Sequence, residues 1–200
     1  HNRVRRQRQM CIRDRYQGYE QHKALQISER ISIEPLLTKH AAILLSAVNE
    51  SRESLAQYLP WTDWVTNRRE AVAYVSQRIN SNALDAYWFA LNLNQELVGV
   101  LGIKGVETQS KVTEIGYWLA EKGRGHQIID LVLMTLVPLI QERGNANVIQ
   151  FHCMEDNIPS IKIAERAGAI LKEYVEHDFE TLDSSQRLGI YELDLATISN

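Results

Sequence analysis

Cysteine, proline and long apolar runs are scarce in this chain of 200 residues, and each scarcity excludes something. Two Cys cannot make a disulfide framework, so the sequence reads as that of a reducing, cytoplasmic compartment. Four Pro and ten Gly rule out collagen-like and proline-rich architectures. The longest apolar stretch, Ile128 to Ile140, is interrupted by Asp130, Thr135 and Pro138 and falls short of a bilayer span, so no membrane partner is expected. Core-forming material is plentiful, at 44% hydrophobic residues, which excludes disorder as the overall state.

Charge is spread unevenly. Residues 1–15 hold six Arg against a single acid, Asp14. They read as a basic arm for nucleic acid or an anionic surface, or as a non-native scar. The second reading is preferred, because Gln9 to Arg15 back-translates to a string resembling a transposase adapter used in sequencing libraries. Residues 1–23 are therefore set apart, and 24–200 are read as one domain. Beyond residue 15 the chain carries 16 basic and 24 acidic residues, net −8. That balance repels phosphate backbones and favours cationic partners, so no nucleic-acid partner is expected. Cys153 is then the one remaining thiol.

Periodicity supplies the elements. Ile27–Ile33 alternates as a half-buried strand ending before Pro35, and Thr38 is placed to cap a helix through Val48. A short helix over Arg52–Tyr58 closes at Leu59-Pro60-Trp61. Thr66 precedes a helix with Ala71, Val72, Val75 and Ile79 on one face. Asp85–Leu91 and Leu97–Ile103 form a hairpin through Asn94-Gln95, and Val112–Leu119 is a β-branched and aromatic strand. After Gly123-Arg124-Gly125 comes a helix apolar nearly all round, in which Pro138 should kink the axis or end the regular hydrogen bonding. Val148–Met154 is a strand, Ile158–Ala167 a helix stopped by Gly168, and Ile170–Phe179 with Leu188–Leu195 a closing pair of strands. The order predicts an α/β (α+β) fold, a mixed, mostly antiparallel sheet with helices on both faces.

Three segments carry chemistry: Glu114-Ile115-Gly116-Tyr117-Trp118-Leu119, the turn Lys122 to Gln127, and Glu155 to Ser160. A strand that runs through glycines into a buried helix offers free N–H groups to an anion. Taken together, and with Arg52–Trp61, Leu97-Val98-Gly99 and the run Glu155–Gly168, these segments resemble the GNAT acetyltransferase superfamily, and within it the RimJ/RimL type of ribosomal-protein N-terminal acetyltransferase. The resemblance covers about Ile27 to Leu195.

The resemblance implies acetyl-CoA as co-substrate. Its pyrophosphate would lie on the amides of Arg124, Gly125, His126, Gln127, Ile128 and Ile129, with Lys122 at the head of the loop. Tyr117, Trp118, Leu119 and Asn157 would flank a pantetheine held between splayed strands 111–119 and 147–154. Glu114 is the candidate general base for the amine, or else a structural carboxylate; Gly116 beside it is read as the site of a bulge. Ser160 is the candidate donor to the leaving thiolate, or else a hydroxyl satisfied by the helix start. The Tyr that many relatives carry seven residues after the Asn is Ala164 here. Trp61 and Trp64 are either acceptor-site wall or core.

The acceptor implied is an amine, foremost a basic protein N-terminus, with polyamines, amino acids and antibiotics as alternatives. The resemblance allows a homodimer. Gln127 stands where the family has Gly or Ala and would crowd the pyrophosphate, which leaves a non-catalytic CoA-binding or protein-interaction module as the alternative function. No metal is expected. The His residues at 22, 40, 126, 152 and 177 lack ligand spacing, and His152 reads as an ordinary sheet residue.

Overall fold

The computed structural model describes residues 24–180 and 182–198. The basic segment and Cys11 lie outside the described residues. The eight strands are β1 Leu25–Gln26, β2 Ile31–Pro35, β3 Tyr87–Leu93, β4 Glu96–Val106, β5 Val112–Leu119, β6 Val148–Met154, β7 Ile170–Val175 and β8 Leu188–Asp194. They form one sheet in the order β1-β2-β3-β4-β5-β6-β8-β7. Every junction is antiparallel except β5–β6, which is parallel. A parallel pair needs a long crossover, and here it is helix α4, Ile128–Arg143. The remaining helices are α1 Ala41–Glu50, α2 Arg52–Ala56, α3 Arg68–Ile79 and α5 Ile158–Arg166.

Two apolar cores lie on the two faces of the sheet. The first gathers α4 and α5 against strands from β1 to β8, with Leu101, Ile115, Ile128, Ile129, Ile149 and Phe151 nearly inaccessible. The second packs α1 and α3 on Ala90, Val100 and Trp118, and it stops at β5. The strand period of two sends Ile115 to the first core and Trp118 to the second.

Several expectations are corrected. The segment Ile27–Ile33 is not one strand. The N–H groups of Ile27 and Ser28 both donate to the Ile31 carbonyl, at 2.9 and 3.1 Å, turning the chain into the β1–β2 hairpin. Pro35 ends β2 from inside, opposite Phe89. Thr38 opens a 3-10 turn rather than capping α1, and His40 Nδ1 accepts the Leu37 N–H at 3.0 Å. In α3 the buried face is Ala71, Tyr74 and Val75, whereas Val72 is exposed. Asn67 caps that helix by accepting the Glu70 N–H, while Thr66 binds the Glu70 carboxylate. Pro138 does not end α4, which runs on to Arg143 and stops at Gly144 with φ +67°. The carbonyl that loses its helical partner to the proline belongs to Met134, an exposed position.

The Asn94-Gln95 hairpin is as expected. Both residues hold positive φ, +50° and +69°, as a two-residue loop of matching twist requires.

Candidate active site

The parallel pairing of β5 with β6 covers three residue pairs, Val112–Val148, Thr113–Ile149 and Glu114–Gln150. Beyond Glu114 the two strands part, while β6 stays paired to β8 as far as Met154. The facing edges of residues 115–119 and 151–154 are left without a neighbouring strand. Inside a sheet, such an edge is a row of unmet donors and acceptors.

Two cavities, of about 400 and 310 Å³, open on this gap. They share Tyr58, Leu59, Tyr117, Trp118, Asn157 and Ser160. The larger is walled by Trp61, Arg78, Trp88, Lys104, Glu114 and His152. The smaller runs past Ser54, Leu55, Leu119, Arg124, Ile129 and Ile163 towards the start of α4.

Beneath the larger cavity two glycines make room for side chains laid flat on the sheet. Gly102 on β4 lies in register with both Trp88 on β3 and Gly116 on β5. A Cβ at Gly102 would meet the Trp88 ring at 2.4 Å, and one at Gly116 would meet Lys104 Cε at 3.1 Å. The indole and the lysine stem therefore lie across the sheet where side chains would otherwise stand. The bulge expected at Gly116 is found instead on β4 between Ile103 and Val106, where Gly105 has φ +110°. Lys104 stands beside Glu114 by the regular register that precedes the bulge, one step on from Ile103–Ile115.

Glu114 is half-buried and bound to the Lys104 ammonium. His152 Nδ1 lies 3.7 Å from its other carboxylate oxygen. The imidazole is a hydrogen-bonded residue of β6, as expected, and it also lines the larger cavity. Its tautomer follows from its neighbours. Glu192 can only accept, so Gln150 gives it the amide N–H at 2.8 Å and turns its Oε1 to His152 Nε2 at 2.9 Å. Nε2 therefore carries the proton, and the Nδ1 lone pair faces Glu114. Burial lowers the His152 pKa, helped by Lys104 and opposed by Glu114.

On the far side of the gap the groups are neutral. Ser160 Oγ is 3.0 Å from the Tyr117 phenol, and the Cys153 thiol donates to it at 3.4 Å. Its partners are side chains and not the helix backbone. Asn157 fills the capping role, its Oδ1 accepting the Ser160 N–H at 3.3 Å. Burial drives the Tyr117 phenol well above the usual tyrosine range, so it remains a donor.

At the loop before α4, the amides of Gly125, His126 and Gln127 donate to no carbonyl among the described residues. Ile128 and Ile129 stand in the first helical turn, where no partner exists four residues back. These five amides fit an anion. The Arg124 amide does not join them, because it donates to the Glu121 carbonyl at 3.0 Å. Its guanidinium instead reaches Ser54 Oγ at 2.9 Å and lines the smaller cavity. Lys122 is turned away, bound to Glu96 and 3.6 Å from Glu50. Gln127 caps α4 in the left-handed region, φ +55° and ψ +26°. Its side chain is exposed and lines neither of the two cavities.

Trp61 lies 4.5 Å from Tyr74 and 5.6 Å from Trp118 between ring centroids, forming part of the wall. Trp64 touches only the outer side of Tyr74, is 39% exposed and is absent from both cavity walls. Arg52 clasps this loop through the carbonyls of Thr62 and Val65. Among the described residues no group of His, Cys, Asp or Glu is arranged to hold a metal, and no helix is long and apolar enough to cross a membrane.

Comparison with known proteins agrees with this geometry. The model of the acetyltransferase (GNAT) domain matches residues 30–170. The ribosomal-protein-serine acetyltransferase of Escherichia coli (strain K12) is 26% identical over 151 residues, covering 75% of this chain and 84% of that protein. Among solved structures, the ribosomal-protein alpha-N-acetyltransferase RimL in complex with coenzyme A superposes with a TM-score of 0.78 at 23% identity, over 86% of this chain and 98% of that one. The microcin self-immunity acetyltransferase MccE, in complex with acetyl-CoA and AMP, gives 0.76 at 20% identity, over 84% and 94%.

Proposed function

The chain belongs to the GNAT acetyltransferase family and is an acetyl-CoA-dependent N-acetyltransferase; from that premise we propose that its acceptor is the α-amine of a protein N-terminus, as in the ribosomal-protein relative. One observation carries the reading: two cavities of different character meet at Tyr117 and Ser160, in the gap between β5 and β6. The smaller leads to the free amides at the start of α4, which suit a pyrophosphate. The open strand edges suit the amides of a pantetheine arm. The larger cavity receives the amine.

The chemistry follows from the two sides of the gap. The acceptor nitrogen attacks the thioester carbonyl, forming the C–N bond, and the C–S bond breaks. The proton leaving nitrogen passes to Glu114, with the His152 lone pair beside it as a second acceptor. The Ser160 hydroxyl donates a hydrogen bond to the leaving thiolate, which takes its proton from solvent at the open cavity, while the Tyr117 phenol stays protonated beside Ser160. The alternative of a non-catalytic module rests on Gln127, whose side chain stands outside both cavities.

The test is thiol release from acetyl-CoA in the presence of N-terminal peptides, with the acetylated product identified by mass. Transfer to the α-amine is expected. Transfer confined to lysine side chains or polyamines would sink the N-terminal assignment.

A further inference from the structure

Arg78 closes α3 and lines the larger cavity. Its guanidinium stacks 3.3 Å above the Tyr74 ring centroid and lies 5.1 Å from that of Trp88. Nη1 donates to the Tyr74 carbonyl at 3.0 Å. Nε is buried with no acceptor, and Nη2 donates to nothing among the described residues. Among the described residues no carboxylate forms an ion pair with Arg78, whereas Lys104, on the same cavity, is matched by Glu114. Burial lowers the Arg78 pKa, yet a guanidinium keeps its proton at any working pH. His152 is held towards its neutral form. The cavity therefore carries one uncompensated positive charge, inside a chain whose described part is acidic.

A partly buried guanidinium whose Nη2 has no acceptor among the described residues is matched to an oxyanion, which Nη2 binds by charge-assisted N–H donation. Trp88 and Tyr74 fix the guanidinium plane, so little freedom is lost on binding. We propose that Arg78 is a specificity-determining residue: the acceptor carries an oxyanion close to its amine, a carboxylate or a phosphate, which Arg78 binds while the amine reaches Glu114. The proposal rests on the acceptor reading of the larger cavity. It also reverses what the overall net charge implies, since the cavity selects acidic N-termini and not basic ones.

The experiment compares peptides differing only after an N-terminal Ser, with Asn, Asp or phosphoserine at the second position. For the full chain, kcat/KM should favour the charged peptides by roughly tenfold to a hundredfold, mostly through KM. Asp against phosphoserine distinguishes the two oxyanions. Arg78→Gln should erase the preference, so that the three peptides are used alike, and Arg78→Lys should restore only part of it. Equal kcat/KM for all three peptides, or a preference that survives Arg78→Gln, would overturn the proposal. A second measurement separates it from the reading beneath it. The N-acetylated peptides are titrated against tryptophan fluorescence, since Trp61 and Trp88 line the cavity. Charge-dependent binding lost in Arg78→Gln without any acetyl transfer would sink the enzyme reading and keep the anion site. Charge-independent binding would sink the anion site alone.

Discussion

The two faces of the sheet at the gap between β5 and β6 are built from opposite materials. On one face Lys104 pairs with Glu114, His152 lies 3.7 Å from that carboxylate, and His152, Gln150, Glu192 and Lys172 continue by hydrogen bonds and an ion pair to the far edge of the sheet. On the other, Tyr117, Ser160 and Cys153 are neutral, half-buried or buried, and linked only by hydroxyl and thiol contacts. Charge is tolerated where a proton must be collected, because the series ends in solvent. Where a leaving thiolate must be stabilised, neutral hydrogen-bond donors suffice, since an unperturbed thiol has a pKa of about 8.5. The difference assigns acceptor and donor duties by position, without appeal to any single residue.

The comparison breaks most sharply at Glu114. Glu114→Gln should lower kcat by roughly a hundredfold or more, with a thermal midpoint close to wild type. A change under threefold in initial rate would return Glu114 to a structural role. Ser160→Ala should be milder, about tenfold in kcat, and should leave the acetyl-CoA-induced thermal shift intact. An equal loss in that shift would make Ser160 a binding group and remove the neutral side from the chemistry.

A pH titration sharpens the contrast further. Burial holds the His152 imidazole below 6.5, so in that window the unfolded chain binds more protons than the folded one. Stability should therefore fall as pH drops below about 6.5. His40, buried beside Glu34, is shifted in the same direction and contributes with the same sign. His152→Asn should accordingly flatten the slope of melting temperature against pH without abolishing it. An unchanged slope would mean that His152 is not held neutral. The smallest effect is expected at Gln127. A residue with a Cβ in the left-handed region is strained, so Gln127→Gly should stabilise the fold by about 1 kcal/mol. The melting temperature would rise by a few degrees.

Much of the frame was legible because it is local. β5 and β6 have the bounds that their β-branched and aromatic runs predict, Asn94-Gln95 marks the turn from β3 to β4, and Gly168 follows the end of α5. Glu114, Ser160, Asn157 and Trp61 meet at the gap as their motifs imply. What escaped depends on register between distant segments. Lys104 reaches Glu114 through the register of β4 with β5, and His152 reaches it through the parallel pairing of β5 with β6. Arg78 looks like any solvated charge at a helix end until Trp88 is seen lying over Gly102. Trp64 and Lys122 fail for the opposite reason. Their neighbours in sequence are functional, but local turns point them elsewhere.

The short seam between β5 and β6 has a mechanical meaning. Five strands lie on one side of it and three on the other, sewn together by three residue pairs. On one face a common core under α4 spans the seam; on the other the packing ends at β5. The molecule is thus a book with its spine on the α4 side. A thioester arm laid into the opening would act as a bookmark that stiffens both covers, and amide exchange along 115–119 and 151–154 would slow together.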